Sequence, residues 1–507
     1  MPNKNNQNLS ELWIFQSSLA RCIIMAIMSR YPLIQEMHTS LIAPEVFDLF
    51  QGELHSFFLD SGMDPQRLGR YSFIGTDPFL VMRSRGSQVT IIQQGKLENK
   101  QGNPFDILGD LLETYSLDPF PATVPFWGGA VGYFSYDLCH FIERLPTTAI
   151  DDLKLPESYF GFYDTVIAFD NLENRAFIAS TGFPELDESR RLKRAKQRLE
   201  EMKSRLSSPP PHIAEADLTS AKTTSEAVLR SNFTPEGYME AVNRVREYIA
   251  AGDVFQVNLS QRFETELTVP PYELYRRLRQ INPAPFASYL NFDGVTIVSA
   301  SPERFLRVDG DRVETRPIKG TRRRGKNPVE DAMLAQELLN SIKDRAENVM
   351  IVDLERNDLG RVCRYGTVKV TELAILETFP TVFHLTSTVV GRLRPDKNRI
   401  DLLKATFPGG SITGAPKVRA MEIIDELEPT RRSVYTGAIG YLGFGRNLDL
   451  NIVIRTFIIK GGKAYFQVGG GIIYDSNAEA EYQETLDKAK ALIQALRLAP
   501  RVAVKTK

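Results

Sequence analysis

The chain has 507 residues, 42% of them hydrophobic and 25% charged, with 62 Lys and Arg set against 63 Asp and Glu. Such a length suits one large two-part domain or two domains, and a net charge of −1 offers no basic face to nucleic acid or to a membrane surface, so neither partner is expected. Cys22, Cys139 and Cys363 are odd in number and far apart, which excludes a disulfide framework or a cysteine metal cage and predicts a reducing, cytoplasmic setting. The histidines at 38, 55, 140, 212 and 384 make no metal-binding spacing.

Residues 1–40 read as an N-terminal extension. The apolar run Leu12–Met28 is split by Arg21 and falls short of a membrane span, and Met28 and Met37 are rival starts. Residues 41–206 read as a β-rich region, with HSFFLDS (55–61), RYSFIG (70–75), QVTII (88–92) and TVIAFD (165–170) as strands between Gly and Pro breaks. PFWGGAVGYFSYDL (125–138) mixes Gly with aromatics, as in a strand packed closely on its neighbour. A highly charged helix is predicted over 185–206, and 207–231 begins with a Pro/Ser/Thr-rich stretch that predicts a linker or surface excursion. In the final region, 232–500, Thr234-Pro235-Glu236 opens a helix and Gly252 closes it. YTGAIGYLGF (435–444), LNIVIRTFIIK (450–460) and KAYFQVGGGIIY (463–474) then follow one another through short turns. That order predicts an α+β fold of mostly antiparallel sheets with helices outside, not a doubly wound one.

Three groups of residues carry chemistry. Lys319, in Pro317-Ile318-Lys319-Gly320-Thr321, sits in a tight turn beside Arg316, Arg322, Arg323 and Arg324. Partial burial and neighbouring positive charge both lower an ammonium pKa, and such a lysine is a nucleophile. The alternative is a solvated basic loop. Glu303, Glu347, Glu481 and Glu484 are the second group, the last three in helical text. Two glutamates on one helix face and one from another helix suit Mg²⁺, which keeps waters and binds substrate oxygens. Here the alternative is a solvated face with a Glu484–Lys488 pair, Tyr482, Leu486, Ala489 and Ile493 forming the apolar stripe. FPGGSITGAPK (407–417) and QVGGGII (467–473) are the third group. Their backbone amides can cradle an anion, or they are simply tight turns; neither fits a nucleotide fingerprint.

Taken in order, GDVFQVNLSQRF, SPERFL, RPIKGTRRRG, ENVMIVDLERNDLGRV, FPGGSITGAPKVRAMEIID, YTGAIGY, LNIVIRT and GGGIIYDS…EYQETLDKA resemble the chorismate-utilising enzymes over about 233–498. The resemblance implies an anthranilate synthase component I-like fold, with mostly antiparallel sheets packed as a sandwich and helices outside. It also implies that Glu347 and Glu484 hold Mg²⁺ with Glu481 nearby, and that Arg455 and Tyr435 hold a substrate carboxylate. Gly469, Gly470 and Gly471 would give backbone donors and Lys488 added charge, with Thr413 and His384 as outer contacts. For His384 the alternative is a hydrogen-bonded core histidine. Within the family, Lys at 319 is similar to members that aminate chorismate at the para position, where anthranilate-forming members typically read PIAGTR. The expected reaction is therefore chorismate plus ammonia to 4-amino-4-deoxychorismate, for folate and 4-aminobenzoate synthesis, with Lys319 as nucleophile and Glu303 as acid and base. No text around the three cysteines resembles a glutaminase nucleophile, so ammonia is expected from a separate glutaminase subunit. Anthranilate formation is the rival: Arg322-Arg323-Arg324-Gly325 leans toward it, and FFLDS with GRYSFIG resemble its tryptophan pocket.

Overall fold

The computed structural model of the chain describes residues 30–120, 123–207, 228–379, 382–496 and 502–504. The apolar run 12–28 and most of the expected linker lie outside them. The short runs between Gly and Pro breaks form strands where the sequence places them: Ser56–Asp60, Tyr71–Gly75, Gln88–Gln93 and Thr165–Asp170. The charged helix runs Glu188–Leu206. Thr234 caps the Pro235–Ala251 helix by accepting from the Gly237 amide at 2.9 Å, and Gly252 ends it at φ +86°. An N-cap of this kind contributes about 1 kcal/mol, and the left-handed end favours glycine.

Among the described residues the strands build two large sheets, of 13 and 12 strands, and the one parallel pairing of named strands joins Leu229–Ser231 to Val502–Val504. Regions 41–206 and 232–500 share both sheets. Ser56–Asp60 pairs with Phe286–Phe292 in the larger, and Gly129–Phe134 pairs with Ala438–Gly443 in the smaller.

Successive side chains of a strand point to opposite faces, and both faces are buried here. Phe57, Phe73, Val166 and Ile297 of the larger sheet turn inward against Val81, Tyr133, Tyr159 and Tyr441 of the smaller. Their chain neighbours Phe58, Ile74, Ile167 and Val298 turn outward onto the helices Glu188–Leu206, Pro271–Ile281 and Ala478–Leu496. On the far side, Leu80, Met82, Phe160 and Val389 pack on the helices Pro104–Thr114, Ile342–Gly360 and Arg399–Thr406. Each such burial contributes about 1.5–3 kcal/mol. The result is the expected α+β sandwich, layered helix–sheet–sheet–helix.

The 450–460 text is not one strand. Leu448–Ile452 pairs with Ala438–Gly443 in the smaller sheet, whereas Thr456–Lys460 pairs with Lys463–Ile472 in the larger. The chain crosses between layers at Val453–Arg455, where Arg455 has φ +51°. A non-glycine residue held there costs about 1–2 kcal/mol, and such strain concentrates at functional sites.

Candidate active site

Lys319 lies on the Ile318–Arg323 strand, which pairs with Val382–Arg392. The register shifts between the pairs Ile318–Thr386 and Thr321–His384, so Lys319 and Gly320 fall on an irregularity that re-aims the side chain. Gly320 has φ +87°, and a Cβ there would stand 3.0 Å from the Asp344 Cβ and 3.1 Å from the Leu338 Cδ1. Only glycine permits this bend and this close helix approach. The Lys319 amine makes no hydrogen bond or ion pair with a described residue. Burial lowers its pKa first of all, with Lys488 adding to the effect and Glu347, Glu303 and Glu484 opposing it. The lowering expected from the neighbouring arginines has a different cause. Arg316, Arg322, Arg323 and Arg324 are paired with Glu377, Asp344, Glu330 and Asp331, and the cation that acts on Lys319 is Lys488.

Glu303 follows the Val295–Ser301 strand and is 4% exposed. Its Oε1 accepts from Ser411 Oγ at 2.6 Å and from the Ile318 amide at 3.3 Å. Burial still prevails and pushes its pKa up to about 6. A carboxyl titrating there both gives and takes protons near neutrality.

Glu347 projects from the Ile342–Gly360 helix. Asn348 ties that helix to the central strand by donating to the Leu385 carbonyl at 3.4 Å and accepting from Ser387 Oγ. Burial raises the Glu347 pKa, Lys319 and Lys343 lower it, and Asp344 and Glu484 raise it. Glu481 and Glu484 lie on Ala478–Leu496, and Lys488 joins the Glu484 Oε1 to the Gly469 carbonyl, at 2.8 Å each. Lys488 holds the Glu484 carboxyl below its usual range. The fully buried positions of this helix are Glu481, Thr485, Ala489, Leu492, Ala495 and Leu496; of the expected stripe Ala489 is among them, and Tyr482, Leu486 and Ile493 are partly buried against the core. Gly470 leaves room for the glutamates: a Cβ there would stand 3.2 Å from Glu481 Oε2 and 3.5 Å from Glu484 Oε1. Ser476 then donates to Glu481 at 2.7 Å, and Thr485 accepts from Gln261 at 2.6 Å.

Gly469, Gly470 and Gly471 pair with Ser260, Leu259 and Asn258. Their other edge has no strand partner among the described residues, because the Thr456–Lys460 strand pairs no further along than Phe466. Arg455 is half-buried, and the single side-chain hydrogen bond it makes with a described residue is a long one to Asn282 Oδ1 at 3.4 Å. Tyr435 is buried at 8% exposure, and Thr413 spends its hydroxyl proton on the Gly409 carbonyl at 3.1 Å. His384 meets both of its readings. Nδ1 bonds to Thr321 Oγ1 at 2.8 Å, as in a core histidine, but Nε2 is buried without a partner. Burial, with Arg455 and Lys488 adding to it, pushes the ring's pKa down to about 3, so it is neutral.

No group of three His, Cys, Asp or Glu among the described residues could by itself hold a metal ion. The all-oxygen set of Glu347, Glu481 and Glu484 still suits Mg²⁺, which takes one or two protein carboxylates and completes its shell with water and substrate. Three residues went unnoticed in the sequence: Ser411, which orients Glu303; Lys343, which acts on all three glutamates; and Asp344 beside Glu347. For Asp344 the i,i+3 spacing to Glu347 was a usable signal.

A second cavity, of about 320 Å³, lies between the sheets against Asp60, Ser61, Arg67, Arg70, Tyr71 and Asp449, and so includes FFLDS and GRYSFIG residues. No helix among the described residues is long and apolar enough to cross a membrane.

Sheet order and site together define a known class. The chorismate binding enzyme family matches residues 55–494, and this chain belongs to that family. It is 41% identical over 454 residues to the aminodeoxychorismate synthase component 1 of Bacillus subtilis, covering 89% of this chain and 93% of that one. It is equally 41% identical over 474 residues to the anthranilate synthase component 1 of Acetivibrio thermocellus, covering 93% and 96%. The crystal structure of anthranilate synthase component I from Streptococcus pneumoniae superposes with a TM-score of 0.72 at 36% identity, covering 83% of this chain and 91% of that one. The menaquinone-specific isochorismate synthase of Escherichia coli shares the fold, with a TM-score of 0.69 at 17% identity and coverage of 95% and 99%.

Proposed function

We propose that the chain converts chorismate and ammonia to 4-amino-4-deoxychorismate. The observation that carries this reading is the Lys319 amine, unpartnered, its pKa lowered by burial, among Glu303, Glu347 and Glu484. Chorismate presents two carboxylates and a poor leaving group, the C4 hydroxyl. Arg455, with its single weak partner, and the free edge of Gly469–Gly471 supply donors for a carboxylate. Glu347 and Glu484, with Glu481 through water, would hold Mg²⁺, which supplies positive charge for the ring carboxylate. Lys319 Nζ attacks C2, the double bond shifts, and the C4–O bond breaks as Glu303 gives its proton to the departing hydroxyl. Ammonia then attacks C4, the double bond shifts back, and the C2–N bond to Lys319 breaks. Glu303 takes the proton that the ammonium sheds. Two easier displacements replace one hard one, and the lysine's occupation of C2 directs nitrogen to C4. The relatives' designation as a first component supports a separate glutaminase subunit as the ammonia source.

Anthranilate formation is the second reading. The equal identity to both relatives and the cavity built on FFLDS and GRYSFIG favour it. Incubation with chorismate, Mg²⁺ and ammonium, followed by mass analysis of the product and release of 4-aminobenzoate by the downstream lyase, separates the two. Anthranilate as the sole product would sink the para reading.

A further inference from the structure

The helix that carries Glu347 has another buried carboxyl two turns on. Glu355 is 2% exposed, and its Oε1 accepts from the Gly410 amide at 3.0 Å. Its Oε2 is buried without a partner, an arrangement that costs stability. The residue after Gly410 is Ser411, whose Oγ donates to Glu303 at 2.6 Å. Asn258 Nδ2 holds the Ser411 carbonyl at 3.0 Å. A Cβ on Gly410 would stand 2.6 Å from Leu354 Cδ2 and 3.0 Å from Glu355 Oε1, so the turn rests directly on the helix. The other charges acting on Glu355 are Asp358, Lys417 and Glu303 itself. The Lys417 ammonium bonds to Asp358 and to the carbonyls of Thr406 and Pro408, at 2.9 Å for each carbonyl. Burial and then Asp358 push the Glu355 pKa up, and Lys417 opposes them.

We propose that Glu355 is a positioning residue for Glu303: by holding the Gly410 amide it fixes the turn from which the Ser411 hydroxyl reaches the Glu303 carboxyl. This rests on the reading of Glu303 as the proton carrier. No bond is made or broken at Glu355. The Ser411 proton favours the ionised form of Glu303. Loosening the turn therefore raises the Glu303 pKa and slows turnover, while Lys319, Arg455 and Glu347, carried by other elements, stay in place.

The test follows chorismate loss by the full chain with Mg²⁺ and ammonium across pH. Glu355→Met, similar in length but unable to accept from Gly410, should lower kcat roughly ten-fold, the scale of one hydrogen bond. It should leave KM for chorismate within about two-fold and move the alkaline limb of kcat, where the proton donor ionises, to higher pH. Glu355→Gln, whose amide oxygen accepts from Gly410, should restore kcat. Ser411→Ala should shift the alkaline limb as Glu355→Met does, and the double variant should fall no further than Ser411→Ala alone. An unmoved alkaline limb in Glu355→Met, or additive losses in the double variant, overturns the proposal. Should Glu355→Met fail to fold, an unmoved alkaline limb in Ser411→Ala overturns it equally. Glu303→Gln run in parallel separates the two ideas. Full turnover by that variant sinks the role of Glu303, whereas its inactivity beside an unaltered Glu355→Met sinks only the positioning.

Discussion

The Lys319 site and the second cavity both gather charged side chains, yet their charges are arranged in different ways. In the second cavity most charged groups are already matched: Arg70 to Asp170, Arg67 to Glu372 and Glu377, Arg304 to Asp449 and Glu314, Asp60 to Arg279 and Tyr275, with Arg307 of the lining left without an ion pair among the described residues. At the Lys319 site the Lys319 amine is unpartnered, Arg455 has one weak bond and His384 Nε2 has none. Leaving donors and cations unmatched costs stability.

Breaking that contrast at its sharpest point should have the largest effect. Lys319→Ala should cut para-amino product by at least about 10³-fold in a product assay while chorismate still binds with Mg²⁺. Undiminished 4-amino-4-deoxychorismate from this variant would defeat the covalent step. Next, Glu347→Ala and Glu484→Ala should each lose activity together with its Mg²⁺ dependence. A variant that titrates with Mg²⁺ as the parent does is not missing a ligand.

Smaller effects sharpen the comparison through stability. Folding raises the Glu303 pKa from 4.5 to about 6, so the folded state keeps a proton that the unfolded chain releases in that window. Its stabilising contribution is present at low pH and lost as pH rises through 6, by about 2 kcal/mol. Glu303→Gln should therefore gain stability relative to the parent at pH 8 but not at pH 4, measured by denaturant titration at both. At the matched cavity, Arg67→Ala removes a half-exposed partner of Glu372 and Glu377 and should lower Tm by no more than about 2 °C. A large fall there would show that the cavity's ion pairs carry more than surface pairs usually do.

How much of this was readable beforehand follows from the range of each interaction. The Thr234 cap and the alternating strands are local, and the text shows them. The site glutamates and Lys319 stood out because their motifs are distinctive in order and wording. The bulge at Lys319–Gly320 depends on pairing with a strand about 60 residues away, and the layer crossing at Val453–Arg455 depends on which sheet each half of an evenly apolar run joins. The burial of Glu481 on the last helix was hidden too, since it lies against Gly470, where a Cβ would stand 3.2 Å from its Oε2. Glu355 looked like one more charge on a helix, and its burial is set by the folding of the 407–417 loop over it.

The interleaving of the sheets has a practical corollary for anyone dissecting this molecule. Although every residue assigned a chemical task falls between 303 and 488, the strands beneath them lean on Ser56–Asp60 and Gly129–Phe134 as direct ladder neighbours. Cutting the chain near 230 would strip those neighbours away and lay bare two long unprotected edges. An excised C-terminal half should aggregate rather than turn over, and activity should return only when the missing N-terminal piece is supplied alongside it.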